Sequence, residues 1–261
     1  MLQPRIIPCL LVRNGGLVKT VNFSNPKYVG DPINTVKIFN EKEVDELIVL
    51  DIDASAQNRE PDYKMIRNLA TECRMPLCYG GGVKTVEHVE RIISLGVEKV
   101  SMSAAVVNNA DVIAKAATVV GSQSIVVVMD VKKKKFSGNY EIWTHNASKA
   151  TGLSPVDFSK RVESLGAGEI VINSIDRDGA MKGYDIELVS KIRKTIGLPI
   201  TVIGGAGTLK DISSLIHAFG TIGAAAGSLF VFKGVYRAVL INYPSRTEKD
   251  ALFAAVQEGR V

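Results

Sequence analysis

Short runs rich in Val and Ile recur along the chain at 6–11, 47–51, 77–79, 100–102, 124–130, 170–173, 200–203 and 222–226. Between them, apolar residues return every three to four positions, which predicts helices over 63–72, 86–95, 111–120, 155–165, 186–196 and 212–219, with Gly96 and Gly166 as C-terminal stops. The strand runs are apolar throughout instead of alternating, as expected for strands covered on both faces, and their alternation with helices predicts a parallel sheet. Eight such units close into an α/β fold of the (β/α)8 TIM-barrel type, and a doubly wound open sheet would use the same elements. A repeat favours the barrel. Met75-Pro76-Leu77-Cys78-Tyr79-Gly80-Gly81-Gly82 and Leu198-Pro199-Ile200-Thr201-Val202-Ile203-Gly204-Gly205 share one pattern, with Pro76 and Pro199 standing 123 residues apart in a chain of 261. Two half-barrels of four units each explain that doubling, and an open sheet does not. Both copies run from strand into glycines and then into a helical pattern at Thr85-Val86-Glu87 or Thr208-Leu209-Lys210. Glycines at such turns let backbone N–H groups approach an anion, and the helix N-terminus adds partial positive charge, so the pair of turns predicts two phosphates.

Composition narrows the class. With 46% hydrophobic residues and no linker-like stretch, the chain is expected to form a single domain over 1–261. The N-terminal apolar run is short before Arg13, so neither a signal peptide nor a spanning helix is expected, which predicts a cytoplasmic protein with no membrane partner. Cys9, Cys73 and Cys78 lack zinc-like spacing and read as reduced structural thiols. No spacing predicts a metal, and no cofactor is expected. The net charge of +5 is spread along the chain without interleaved aromatics, which argues against nucleic acid and fits an anionic small molecule. Lys132 to Lys135 form the one basic run, either a solvated loop or a phosphate-attracting flap.

In a barrel of this type, chemistry sits at the C-terminal ends of the strands. Carboxylates dominate there: Asp51 and Asp53 after the second strand, Asp130 ending the fifth, and Asp176-Arg177-Asp178-Gly179 after the sixth. An arbitrary Asp at a strand end is usually a helix cap. Asp130 stands apart because it follows Ile125-Val126-Val127-Val128-Met129, so burial should raise its pKa and suit it to proton transfer. His88 and His217 fall on helical patterns and read as surface residues, whereas His145, on the loop after the fifth strand, is within reach of the mouth.

Arg5-Ile6-Ile7-Pro8-Cys9-Leu10, Gly80-Gly81-Gly82, Gly166-Ala167-Gly168-Glu169-Ile170, Asp176-Arg177-Asp178-Gly179 and Gly204-Gly205-Ala206-Gly207 together resemble the cyclase (synthase) subunit of imidazole glycerol phosphate synthase over nearly the whole chain. The resemblance implies a phosphorylated small-molecule ligand with two phosphates, and ammonia delivered through the barrel by a glutaminase docked on its N-terminal face as a heterodimer. It implies phosphate or substrate contacts at Lys19, Gly81, Gly82, Ser103, Asp178, Gly179, Gly205, Ala206 and Ser228, with Asp130 as a catalytic carboxylate. At the opposite end, Arg5, Glu46, Lys99 and Glu169 lie at or beside the starts of strands one, two, four and six, where all four can share one layer. The resemblance makes that layer the gate for ammonia, and apolar residues above it would admit ammonia and penalise ammonium.

The mouth departs from the cyclase pattern. Leu11 stands where the resemblance calls for a second catalytic Asp, and a leucine can neither take nor give a proton. Ser101-Met102-Ser103-Ala104 lacks the expected Asn-Thr pair, and Ala180 replaces a usual Thr. An intact gate with half an acid/base pair is similar to a paralogous branch that works with a glutaminase homologue and a separate sugar amidotransferase to install acetamidino groups on bacterial surface polysaccharide (O-antigen, lipopolysaccharide). That branch shares Leu10-Leu11-Val12, Val131-Lys132-Lys133-Lys134-Lys135 and Phe230-Val231-Phe232-Lys233-Gly234-Val235-Tyr236. An ammonia-conducting subunit is the expected function. Alternatives are a working cyclase of histidine biosynthesis, with Asp130 acting alone or with Asp51, Asp53 or Asp178 substituting for the missing Asp, and a silent scaffold that activates its glutaminase.

Overall fold

The structure, a computed structural model, describes residues 3–135 and 137–258. Met1, Leu2, Phe136 and 259–261, including both ends of the expected 1–261 domain, lie outside the described residues. Eight parallel strands form the barrel: β1 (Arg5–Arg13), β2 (Leu47–Asp51), β3 (Leu77–Gly80), β4 (Lys99–Met102), β5 (Ile125–Lys133), β6 (Glu169–Ser174), β7 (Ile200–Ile203) and β8 (Gly223–Ala226). Neighbours pair in chain order, and β8 returns to β1 with Arg5 opposite Gly223, which closes the sheet. Closure leaves no edges, and it excludes the open doubly wound sheet.

Successive strand residues point to opposite faces, so the core divides in two. Ile6, Leu10, Leu47 and Val49 join a large cluster under the helices, whereas Ile7, Cys9, Ile48, Cys78, Val126, Val128, Val171, Ile203 and Ala225 form a second cluster made of strand residues alone. That second cluster fills the barrel interior.

Helices α1 (Pro32–Glu41), α2 (Tyr63–Glu72), α3 (Val86–Ser94), α4 (Ala104–Asn108), α5 (Asp111–Val120), α6 (Pro155–Ser164), α7 (Ile186–Arg193), α8 (Leu209–Phe219), α9 (Ser228–Val231) and α10 (Arg246–Glu258) accompany the strands. Helix α8 begins earlier than its periodicity predicts because Thr208 and Asp211 make a reciprocal capping box, and α7 ends earlier because Lys194 N–H turns to Ser190 and Ile192. Strands β1 and β5 overrun the barrel and fold back as antiparallel hairpins. From β1 the chain pairs through Gly16–Val21 and then Ser24–Gly30, and from β5 it pairs with Tyr140–Thr144. The lysine run is therefore not a simple loop. Lys132 and Lys133 belong to β5, Lys133 is paired with Glu187, and Lys134 lies 3.4 Å from Glu141.

Candidate functional site

The C-terminal mouth is a cavity of about 330 Å³. Asp130, Lys19, Gly81, Gly82, Ser103, Asp178, Gly179, Gly205, Ala206 and Ser228 all line it, whereas Asp176, also expected at the mouth, stands outside its wall and accepts from the Lys133 N–H. The four lysines of the basic run are not among the residues of its wall. His145 does line it, with Nδ1 3.0 Å from Thr144 Oγ1.

Asp130 is half-buried in the cavity wall, where loss of solvation raises its pKa to about 7 against the opposing pull of a hydrogen bond from Asn173. Asn173 Nδ2 donates to Asp130 Oδ1 at 2.9 Å, and Asn173 Oδ1 is buried without a hydrogen-bond partner. The sequence reading missed Asn173. The signal was available, since it ends the run 170–173 as Asp130 ends the run 124–130, and the register sets the two opposite each other. Leu11 contributes an alkyl wall to the same cavity. The alternative carboxylates are committed elsewhere. Asp51 Oδ1 accepts from the N–H groups of Asp53 (3.1 Å) and Ala54 (3.0 Å), and Asp51 pairs with Arg59. Asp53 lies 2.7 Å from Arg13 Nε and accepts from Asn146. Asp178 Oδ2 accepts from the Thr20 hydroxyl at 2.7 Å and the Phe23 N–H at 3.0 Å, so it ties the 16–30 hairpin over the mouth.

That hairpin carries Lys19 into the wall. Its Nζ donates to the Cys9 carbonyl at 2.6 Å, and burial lowers its pKa despite nearby Cys9 and Asp178. The glycine turns have a steric reason of their own. Gly81 (φ +119°) and Gly205 (φ +113°) occupy conformations that suit glycine, and a Cβ on Gly205 would lie 2.1 Å from the Gly183 carbonyl oxygen. Helices α4 and α9 open on the mouth at Ser103 and Gly227, and neither has a side-chain cap hydrogen bond.

At the other end the four charges form a ring. Arg5 Nη1 donates to Glu46, Arg5 Nη2 donates to Glu169 Oε1 at 2.7 Å, and Lys99 Nζ reaches Glu46 Oε1 and Glu169 Oε2, both at 2.8 Å. The Thr201 hydroxyl donates to Glu169 Oε1 at 2.6 Å. Burial opposes charge on Glu169, yet Arg5 and Lys99 bring its pKa down to about 2. The two cations are themselves raised by the carboxylates against the pull of burial. Above the ring lies the apolar interior cluster, which favours a neutral solute over a charged one. The arrangement is an ion-paired floor, an apolar layer and a polar mouth. Among the described residues no group of three or more His, Cys, Asp or Glu could hold a metal, and no helix is long and apolar enough to cross a membrane.

A family profile described as "Histidine biosynthesis protein" matches residues 5–237. The chain is 56% identical over 253 residues to "Putative imidazole glycerol phosphate synthase subunit HisF" of Leptospira interrogans, covering 97% of this chain and 100% of the relative. It is 58% identical over 249 residues to "Putative imidazole glycerol phosphate synthase subunit hisF3" of Vibrio vulnificus, covering 95% and 96%. Identity is 40% over 235 residues, covering 90% and 93%, to "Imidazole glycerol phosphate synthase subunit HisF" of Alkaliphilus metalliredigens.

Proposed function

The chain belongs to the histidine biosynthesis protein family, and from that premise we propose that it is the ammonia-conducting barrel subunit of a cytoplasmic glutaminase pair. The glutaminase docks on the N-terminal face and releases ammonia at the Arg5–Glu46–Lys99–Glu169 ring. Opening one ion pair there admits a neutral molecule to the apolar layer, and its walls hold back ammonium, whose desolvation finds no compensation. At the mouth, the glycine turns, Lys19 and the uncapped starts of α4 and α9 receive a phosphorylated ligand. Asp130, with a pKa near 7, takes the proton that ammonia loses as it adds to the acceptor. The acceptor we propose is a sugar of bacterial surface polysaccharide, aminated with a separate amidotransferase.

The observation that carries this reading is the pairing of a complete ring with a mouth in which Leu11 lines the cavity with Asp130, while Asp51, Asp53 and Asp178 are engaged by Arg59, Arg13 and the first hairpin. A cyclisation that needs an acid and a base loses one of them. The relatives' names favour a second reading, an imidazole glycerol phosphate cyclase in which Asp130 works without a strand-one partner. Turnover of the bisphosphorylated cyclase substrate with excess ammonia at alkaline pH separates the two without a partner protein. The conduit reading expects no turnover by the native chain and measurable turnover by Leu11→Asp. Clear turnover by the native chain would sink it.

A further inference from the structure

The ladder between β1 and β2 starts only at Cys9 and Ile48. Arg5 N–H points the other way, to Ile222, so the N–H and C=O of Ile6 face the β2 side where no strand meets them. Side chains close the gap. Asp45 Oδ2 accepts from the Ile6 N–H at 2.8 Å, and the Tyr243 hydroxyl donates to the Ile6 carbonyl at 2.7 Å. The same hydroxyl accepts from the Asp45 N–H at 3.3 Å, and Lys249 Nζ donates to Asp45 Oδ1 at 2.7 Å. Tyr243 is seated on Phe230, with ring centroids 5.3 Å apart, in the connection that leads into α10. Ile6 is the chain neighbour of Arg5, and Asp45 is the neighbour of Glu46. An unzipped seam thus runs between the two backbone segments that carry one ion pair of the ring, and residues from the far end of the chain bridge it. Both bridging residues lie beyond the 5–237 stretch that the family profile matches.

We infer that Tyr243 and Lys249 are positioning residues for the ring: by clasping Ile6 to Asp45 they hold Arg5 and Glu46 in one layer, where the Arg5 guanidinium reaches both Glu46 and Glu169. The functional meaning rests on the ring being the ammonia entrance, but the geometry is testable without it. When the clasp is lost, the Ile6 carbonyl and the Asp45 N–H turn to water and the seam widens. Arg5, whose side chain is already 28% exposed, then swings outward and leaves Glu169 with Lys99 as its ring cation beside the Thr201 hydroxyl.

The test is a carbon-13 carboxyl titration of Glu169 by NMR in the isolated chain, comparing native protein with Tyr243→Phe, Lys249→Gln, Lys249→Arg and Arg5→Met. Native Glu169 is expected to stay ionised to below about pH 3, and Arg5→Met to raise its midpoint by about one pH unit or more. Tyr243→Phe and Lys249→Gln should each give about half of that rise or more, with Lys249→Arg restoring the native midpoint. Native midpoints in the folded Phe and Gln variants overturn the clasp, whatever Arg5→Met does. Lys249 is near the surface, so its variants keep the question answerable if Tyr243→Phe does not fold. A second readout, free ammonia escaping per glutamine hydrolysed in the reconstituted glutaminase pair, should rise about threefold or more in both Tyr243→Phe and Arg5→Ala. A rise in Arg5→Ala alone counts against the clasp. Unchanged escape in both, with the NMR shifts present, overturns the ring as ammonia entrance and leaves the clasp standing.

Discussion

Asp130 shows how one residue takes its chemistry from its surroundings. A carboxyl in solvent ionises near pH 4, but loss of solvation brings Asp130 to about 7, so near neutral pH it divides between acid and base. The folded chain holds that proton more tightly than the unfolded chain does. The stabilisation is complete below about pH 4 and is lost as pH rises through about 7. Asp130→Asn removes the dependence, so its stability relative to the native chain should improve by about 3 kcal/mol between pH 4.5 and pH 8, read by urea unfolding at both. A constant difference across that range would mean that Asp130 is charged throughout. The run of five apolar residues before Asp130 made this legible in the sequence, whereas Asn173, which tempers the shift, emerged only from the β5–β6 register.

At the scale of elements, hairpins were the hardest part to read. Ser24–Gly30 is largely exposed and polar, so it carries neither the continuous apolar run of a barrel strand nor a helical period. It pairs with the adjacent Gly16–Val21, and the hairpin that the two form is tied down from far along the chain by Asp178, which accepts from the Thr20 hydroxyl and the Phe23 N–H. Asp178→Ala should release the hairpin and speed limited proteolysis between Asn22 and Lys27 several-fold, while the melting temperature of the barrel changes by only a few degrees. Equal proteolysis rates would show that pairing with β1 is enough to hold it. Helix starts were easier. The helical patterns at Thr85 and Thr208 do open α3 and α8, where both threonines cap, because a cap is decided by neighbours within three residues.

For the whole molecule, the ring is the feature whose energetics extend furthest. Glu46 and Glu169 are nearly buried, with side chains 4% and 6% exposed, and each is answered by the same two cations. Arg5→Ala should cost about 3 to 5 kcal/mol, because it leaves two buried carboxylates to share Lys99. The loss should depend on pH in a defined direction. Glu169 contributes its stabilisation above its ordinary pKa and loses it as pH falls toward 2, so the penalty of Arg5→Ala should shrink as pH drops below about 4. Chemical denaturation across pH 3 to 7 measures it, and a penalty unchanged over that range would mean that Arg5 does not hold the Glu169 charge. A pair with the glutaminase would also lose coupled transfer in this variant while keeping its binding, which a silent scaffold would not show.

The linear chain determined the eight strands, most of the helices between them, the half-length repeat and the residues gathered at each mouth, because these depend on local periodicity, on short-range capping and on which end of a strand a residue occupies. Only the tertiary structure decided which charges meet. Arg5, Glu46, Lys99 and Glu169 are spread over most of the barrel sequence, and a closed sheet is needed to bring their side chains within hydrogen-bonding distance. The same holds for Lys19 reaching Cys9, Asp178 holding the first hairpin, and Tyr243 filling a gap in the β1 ladder that exists only because β2 begins above it. Periodicity specifies which face a residue takes, whereas barrel closure and strand stagger set which residue lies across from it.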